Sequence, residues 1–157
     1  MACNQTSKED KMLQLIAEQE NESTSKDSLY ALYQRFAALY PQHPKAAGFL
    51  YKTADHFKMK NPEKSAMLFK DYFDNYPDSA QAANCLFNAA FMLEQVDPEL
   101  SIQLYKKFIG KYPKDERTES AIQNLKFVGK PAEYIMEQLK QSGMIQEEMD
   151  SLSNQVK

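Results

Sequence analysis

Few side chains in this sequence are equipped for chemistry. The 157 residues include two histidines, His43 and His56, and two cysteines, Cys3 and Cys85. His56 follows Asp55, but consecutive residues of a helix do not share a face, so the pair is badly placed to pass a proton. His43 sits beside Pro44 in a turn-like stretch. Neither histidine stands at metal-ligand spacing from a cysteine or a carboxylate motif. There is no Gly-rich phosphate loop and no G-x-S-x-G elbow. Cys85, inside "AANCLFNAA", reads as a small buried hydrophobe; Cys3 sits in a polar tail, and the two do not make a disulfide framework. Glu147, Glu148 and Asp150 form a short acidic cluster near the end, which reads as solvated. The expectation is no enzyme, no metal and no cofactor. The alternative is a groove-site enzyme, with Asp55 and His56 as its only candidate pair.

The totals agree with a binding or structural role. Nineteen basic residues stand against 22 acidic ones, a net charge of −3. Nucleic acid as a partner is therefore not expected, because it demands a dense Lys/Arg surface. No apolar run reaches the roughly 18 residues that suggest a membrane span. A chain of this size buries about 68–70% of its unfolded surface, enough to fold without a metal or disulfide. The wealth of Ala, Leu, Lys, Gln and Glu, with only four glycines, favours helix.

The elements follow from one interval. Tyr-Pro occurs at Tyr40-Pro41, Tyr76-Pro77 and Tyr112-Pro113, and both gaps are 36 residues (76 − 40 and 112 − 76). Before each pair, the sets Tyr33/Phe69/Tyr105, Phe36/Tyr72/Phe108 and Ala37/Phe73/Ile109 recur at the same interval. Their spacing within one run marks a single helix face. Proline stops the helix and restricts the residue before it. After each Tyr-Pro a second helix is predicted, with Ala82, Ala83, Leu86, Phe87, Ala90 and Leu93 as its core face in the middle repeat. The equivalents 36 residues earlier are Ala46, Ala47, Leu50, Tyr51, Ala54 and Phe57. In the third repeat the apolar face slips by about one position. Asn61-Pro62 and Asp97-Pro98 read as an N-cap with proline at N1, and Gly129 as a C′ residue. Ser25 and Asp27 are candidate N-caps, and a short helix is expected from Met12 to Ala17, with Met12, Leu13, Ile16 and Ala17 on one face. The sequence thus divides into a tail or tether over 1–10, a repeat domain over 11–142 with capping helices at both ends, and a helix or frayed tail over 143–157. Ile145, Met149 and Leu152 share a face in that last segment. It extends the cap, packs on a partner, or frays.

With those residues in view, "FKDYFDNYPDSAQAA" and "YKKFIGKYPKDERTESA" resemble tetratricopeptide repeats, helix–turn–helix units of about 34 residues. The resemblance covers residues 27–130 and is nearest to a variant common in bacterial envelope proteins. It implies an all-α solenoid of antiparallel helix pairs, in which stacked neighbours build a continuous core. It also implies a concave groove lined by residues 46–58, 80–94 and 117–128. The groove positions related by 36 residues are Gly48/Asn84/Ser120, Lys52/Asn88/Asn124 and Asp55/Phe91/Phe127. Asn and Lys can hydrogen-bond the backbone or carboxylate of an extended peptide, and Phe91 and Phe127 can take apolar side chains. The expected role is a scaffold that binds a protein or peptide segment with Lys52, Asp55, Asn84, Asn88, Phe91, Asn124 and Phe127. The contrary reading is a polar helix face whose phenylalanines pack on neighbouring helices.

"MACNQTSKED" also resembles the mature start of a bacterial lipoprotein, in which the signal segment is removed before a cysteine that then carries lipid. On that likeness Cys3 is the lipidation site, residues 4–11 are a tether, Met1 is an added start, and the chain is held in the periplasm or at the outer membrane. If Met1 is the native start instead, Cys3 is an incidental thiol and the chain is a cytosolic adaptor. A further alternative is a structural subunit that docks a partner through a terminal helix over 131–152.

Overall fold

Proline and tyrosine set where the helices stop and start. The computed structural model describes residues 7–22 and 25–141. Among them are eight helices and no strand: α1 (Lys8–Asn21), α2 (Lys26–Leu39), α3 (Ala46–Phe57), α4 (Pro62–Asn75), α5 (Ala82–Met92), α6 (Pro98–Lys111), α7 (Thr118–Leu125) and α8 (Ala132–Gln141). From α1 to α7 each helix packs chiefly on its neighbours in sequence.

The caps explain the boundaries. Tyr40, Tyr76 and Tyr112 are the C-cap residues of α2, α4 and α6, each followed by its proline. Asn61 and Asp97 accept from the backbone N–H groups of Lys64 and Leu100, at 2.9 and 3.0 Å. Pro62 and Pro98 open the helices that follow, where the missing proline N–H is no loss. Gly129 has φ +69°, and a Cβ placed there would lie 2.9 Å from the Pro98 Cβ, so glycine is required on both counts.

Bonds between distant turns repeat the same interval. The Tyr76 hydroxyl donates to the Pro41 carbonyl at 2.9 Å and the Tyr112 hydroxyl to the Pro77 carbonyl at 3.4 Å. Ser65 and Ser101, both fully buried, donate to the carbonyls of Ala54 and Ala90 at 2.6 and 2.7 Å. Both carbonyls lie near a helix end, where backbone partners run short, and the Ala90 carbonyl also accepts from the Leu93 N–H at 3.3 Å.

Four sequence expectations need correction. Helix α1 starts at Lys8, so residues 8–10 of the expected tail are its first turn. Ser7 and Asp10 close a capping box there, a reciprocal pair that satisfies two otherwise orphaned N–H groups. Ala17, placed on the buried face, is exposed, and only Ile16 of α1 is buried. Of the two candidate N-caps of α2, Ser25 holds the position, without a side-chain cap bond, while Asp27 lies inside the first turn. The core forms two clusters rather than one. Ile16, Tyr33, Phe36 and Phe49 form an aromatic cluster at the N-terminal end. The larger cluster runs from Ala37 to Val128. The division follows residue size. Phe49 stacks on Tyr33 at 4.4 Å and meets Phe36 edge-on at 5.4 Å, whereas its equivalents Cys85 and Ala121, both fully buried, are small.

The C-terminal end is thinner. In α7 only Ala121 is buried, and α8 buries nothing. Residues 1–6, with Cys3, and 142–157, with the acidic cluster and Ile145, Met149 and Leu152, lie outside the described residues.

Candidate functional site: the face carried by α3, α5 and α7

Asn84, near the start of α5, is the centre of a polar chain that joins three non-consecutive helices. Its amide N–H donates to the Tyr51 hydroxyl of α3 at 3.1 Å and to Gln81 at 3.4 Å. Its carbonyl accepts from Asn88 at 3.2 Å and from the Arg117 guanidinium, at the N-cap of α7, at 3.0 Å. Both ends of the Asn84 amide are therefore engaged inside the protein. Asn84, expected as a partner-binding residue, holds the face together. Asn88 uses its N–H on Asn84, which leaves its carbonyl as an available acceptor.

Arg117 is the residue that sequence reasoning missed. It grips Asp115 with two parallel bonds of 2.8 Å, the planar fork that suits a carboxylate. The Asp115 carboxylate also accepts from the Arg117 backbone N–H at 3.0 Å. The side-chain bond from Arg117 outweighs desolvation and holds the Asp115 carboxyl down at about 2. The guanidinium also lies 5.6 Å from the centres of the Phe87 and Phe108 rings. A signal was available: Asp115 and Arg117 fall where the earlier turns carry His43 with Lys45 and Ser79 with Gln81.

The remaining expected residues lie around this centre and do not form one cluster. Lys52 lines a cleft of about 280 Å³ between α1 and α3, with Leu13, Ile16, Phe49, Glu20 and Gly48. Its ammonium lies 5.7 Å from the Tyr33 ring and makes no ion pair among the described residues. Asp55 pairs with Lys58 at 2.8 Å on its own helix. Phe91 is 56% exposed, while Phe127 is half-buried. Asn124 donates to the Tyr105 hydroxyl at 2.8 Å, and that hydroxyl donates to Glu94 at 2.5 Å. Burial raises the Glu94 carboxyl, and the bonds from Tyr105 and Asn124 oppose that rise.

The groups that looked chemical are occupied. His56 bonds Asp27 of α2 at 2.7 Å and stacks on Tyr30 at 4.0 Å, so Asp55 and His56 are not brought together as a pair. Lys60 reaches the same Asp27 oxygen at 2.9 Å. His43 faces Glu9 at 3.5 Å. Cys85 is fully buried, and desolvation pushes its thiol up to about 12, far from a reactive thiolate. Among the described residues no group of His, Cys, Asp or Glu is arranged to hold a metal ion, and no helix is long and apolar enough to cross a membrane.

The arrangement can present a fixed surface: an amide carbonyl at Asn88, a cation at Lys52 and an aromatic ring at Phe91, on helices locked by internal polar bonds. No protein-family model matches the chain, and no curated protein is significantly similar to it.

Proposed function

We propose that this chain is a non-enzymatic scaffold, a tetratricopeptide-like array that binds an extended partner segment across α3, α5 and α7. The observation that carries the reading is the Tyr51–Asn84–Arg117 chain. It spends polar side chains on fixing three helices side by side while leaving Phe91 exposed beside Asn88. Preorganisation of this kind lowers the ordering cost of binding. An exposed aromatic next to a fixed amide suits a peptide that supplies one apolar side chain and one backbone N–H. The recurrence of the tyrosine–proline and serine–alanine bonds at 36 residues supports the repeat reading. On this reading the chain acts at the bacterial envelope, held by lipid on Cys3; the same surface would serve a cytosolic adaptor.

The test is a peptide-display selection on the whole chain, followed by calorimetry on the selected peptides. Phe91→Ala and Asn88→Ala should each weaken binding by about tenfold or more, the loss of an aromatic anchor or a buried hydrogen bond. Peptides bound equally well by both variants would refute the groove.

A second reading has its own observation. Helix α8 carries Tyr134, Ile135, Met136 and Leu139, yet buries none of its residues, and Tyr134 and Met136 are 42% and 47% exposed. A subunit that docks through this end would lose assembly, and keep its fold, when residues 143–157 are deleted.

A further inference from the structure

We propose that the edge of α1 and α2 carrying Lys8, Lys11 and Arg35 is a docking surface for an anionic lipid bilayer. An open cleft of about 310 Å³ on this edge is lined by Lys8, Lys11, Met12, Leu15, Leu32 and Arg35: three cations, three apolar side chains and no acid. None of the three cations makes an ion pair among the described residues. The acids of the first turn of α1 are engaged elsewhere. Glu9 faces His43, and the Asp10 carboxylate accepts from the Ser7 hydroxyl at 2.7 Å.

The geometry is that of an interfacial face. Lys8, Lys11 and Leu15 follow one stripe of α1 (i, i+3, i+7). Leu39 lies one turn beyond Arg35 on α2. Leu15 and Leu39 are 42% and 56% exposed, so apolar groups flank the charges. The charge complementarity is local, because the whole chain carries −3. At physiological salt the attraction decays over about 8 Å, so only the face that lies nearest the lipid is attracted. Each Lys or Arg near an anionic membrane strengthens binding roughly fivefold, and three together roughly a hundredfold. The leucines add burial at the acyl boundary. A bilayer suits this edge better than a peptide, because the cations and leucines border an open surface rather than an enclosing groove. Cys3 lies five residues before Lys8, so lipid on that cysteine would hold this same edge against the membrane. The proposal rests on the patch and not on Cys3 or on the peptide groove, and its failure leaves both of those readings untouched.

The experiment is co-sedimentation of the purified full chain, under reducing conditions, with vesicles of phosphatidylglycerol and phosphatidylcholine or of phosphatidylcholine alone. Binding is expected only to the phosphatidylglycerol vesicles and should vanish at high salt. The Lys8→Glu/Lys11→Glu/Arg35→Glu variant should bind at least roughly a hundredfold more weakly. A control with the same change in net charge, Lys106→Glu/Lys114→Glu/Lys140→Glu, should still bind, and circular dichroism should show native helix content in both. If the first triple variant does not fold, Lys8→Glu and Lys11→Glu alone should each cost at least roughly fivefold. The proposal is overturned by equal binding to both vesicle types, by no binding to either, or by an equal loss in the control. It is also overturned if the Lys8/Lys11/Arg35 reversal abolishes a dimer of the chain in solution, which would assign this edge to a second copy.

Discussion

The α3–α4 and α5–α6 junctions use the same backbone bond to carry opposite charges. In each, a buried serine of the later helix ties down an alanine carbonyl of the earlier one. At the first junction Lys58 lies 5.2 Å from the centre of the Phe69 ring and pairs with Asp55. Thirty-six residues on, the same two positions hold Glu94 and Tyr105, joined by a 2.5 Å hydrogen bond. A bare ring face attracts a cation. A phenol donates to a carboxylate, and a charge-assisted bond of that kind is a strong one. One hydroxyl therefore decides which sign of charge its neighbour can carry. Scaffolding and charge are separable here, so a helix junction can alter its surface without altering its frame.

The largest effect should come from crossing the two solutions. Glu94→Lys puts a cation beside a buried phenol and removes its acceptor, which should cost about 2 kcal/mol. Adding Tyr105→Phe recreates the first junction, and the double variant should recover about 1 kcal/mol of that loss. Denaturant unfolding of both singles and the double closes the cycle; strict additivity would mean that the two positions do not communicate. A smaller loss, about 1–2 kcal/mol, is expected from Ser65→Ala and from Ser101→Ala, because each removes a buried hydrogen bond to a helix-end carbonyl. The two costs should be nearly equal. A large inequality would show that the frame is not shared.

The smallest effect is a pH slope. The Glu94 carboxyl is raised by burial, so the folded state holds its proton more tightly than the unfolded chain. Stability from this group is greatest in acid and falls as pH climbs from the ordinary glutamate range to the raised value. Asp115, held at about 2, acts oppositely: its contribution is intact above the ordinary aspartate range and is lost as pH falls toward 2. Thermal melts of Glu94→Gln across mild acid should lose the first slope and keep the second. An unchanged slope would remove Glu94 as its source.

What could be foreseen depended on the range over which each signal acts. Asn61, Asp97 and Gly129 were legible because a cap or a positive φ is settled within a few residues. The Tyr-Pro stops were legible for the same reason. The start of α1 was in the sequence as Ser7-x-x-Asp10 but was hidden by its polar surroundings. The candidate site was less legible because its partners are far apart in sequence. Asn84 meets Tyr51 and Arg117, each 33 residues away, and His56 finds Asp27 rather than Asp55. Helix periodicity gives the direction in which a side chain leaves its helix. It does not give what meets it there, and so Asn84 looked available when its amide is fully used. The split core had a similar cause: the spacing of Phe49, Cys85 and Ala121 is regular, but their volumes are not.

The hydroxyls of Tyr76 and Tyr112 have a mechanical consequence. Each donates one hydrogen bond to a proline carbonyl across 35 residues of chain, so the dipeptide that ends a helix also acts as a strut between successive turns. Terminating the helix needs only the backbone of that dipeptide, whereas the strut needs the phenolic oxygen. Compliance between these turns is thus set by a group that secondary structure does not require. Removing that oxygen would let neighbouring turns flex against one another while every helix kept its length.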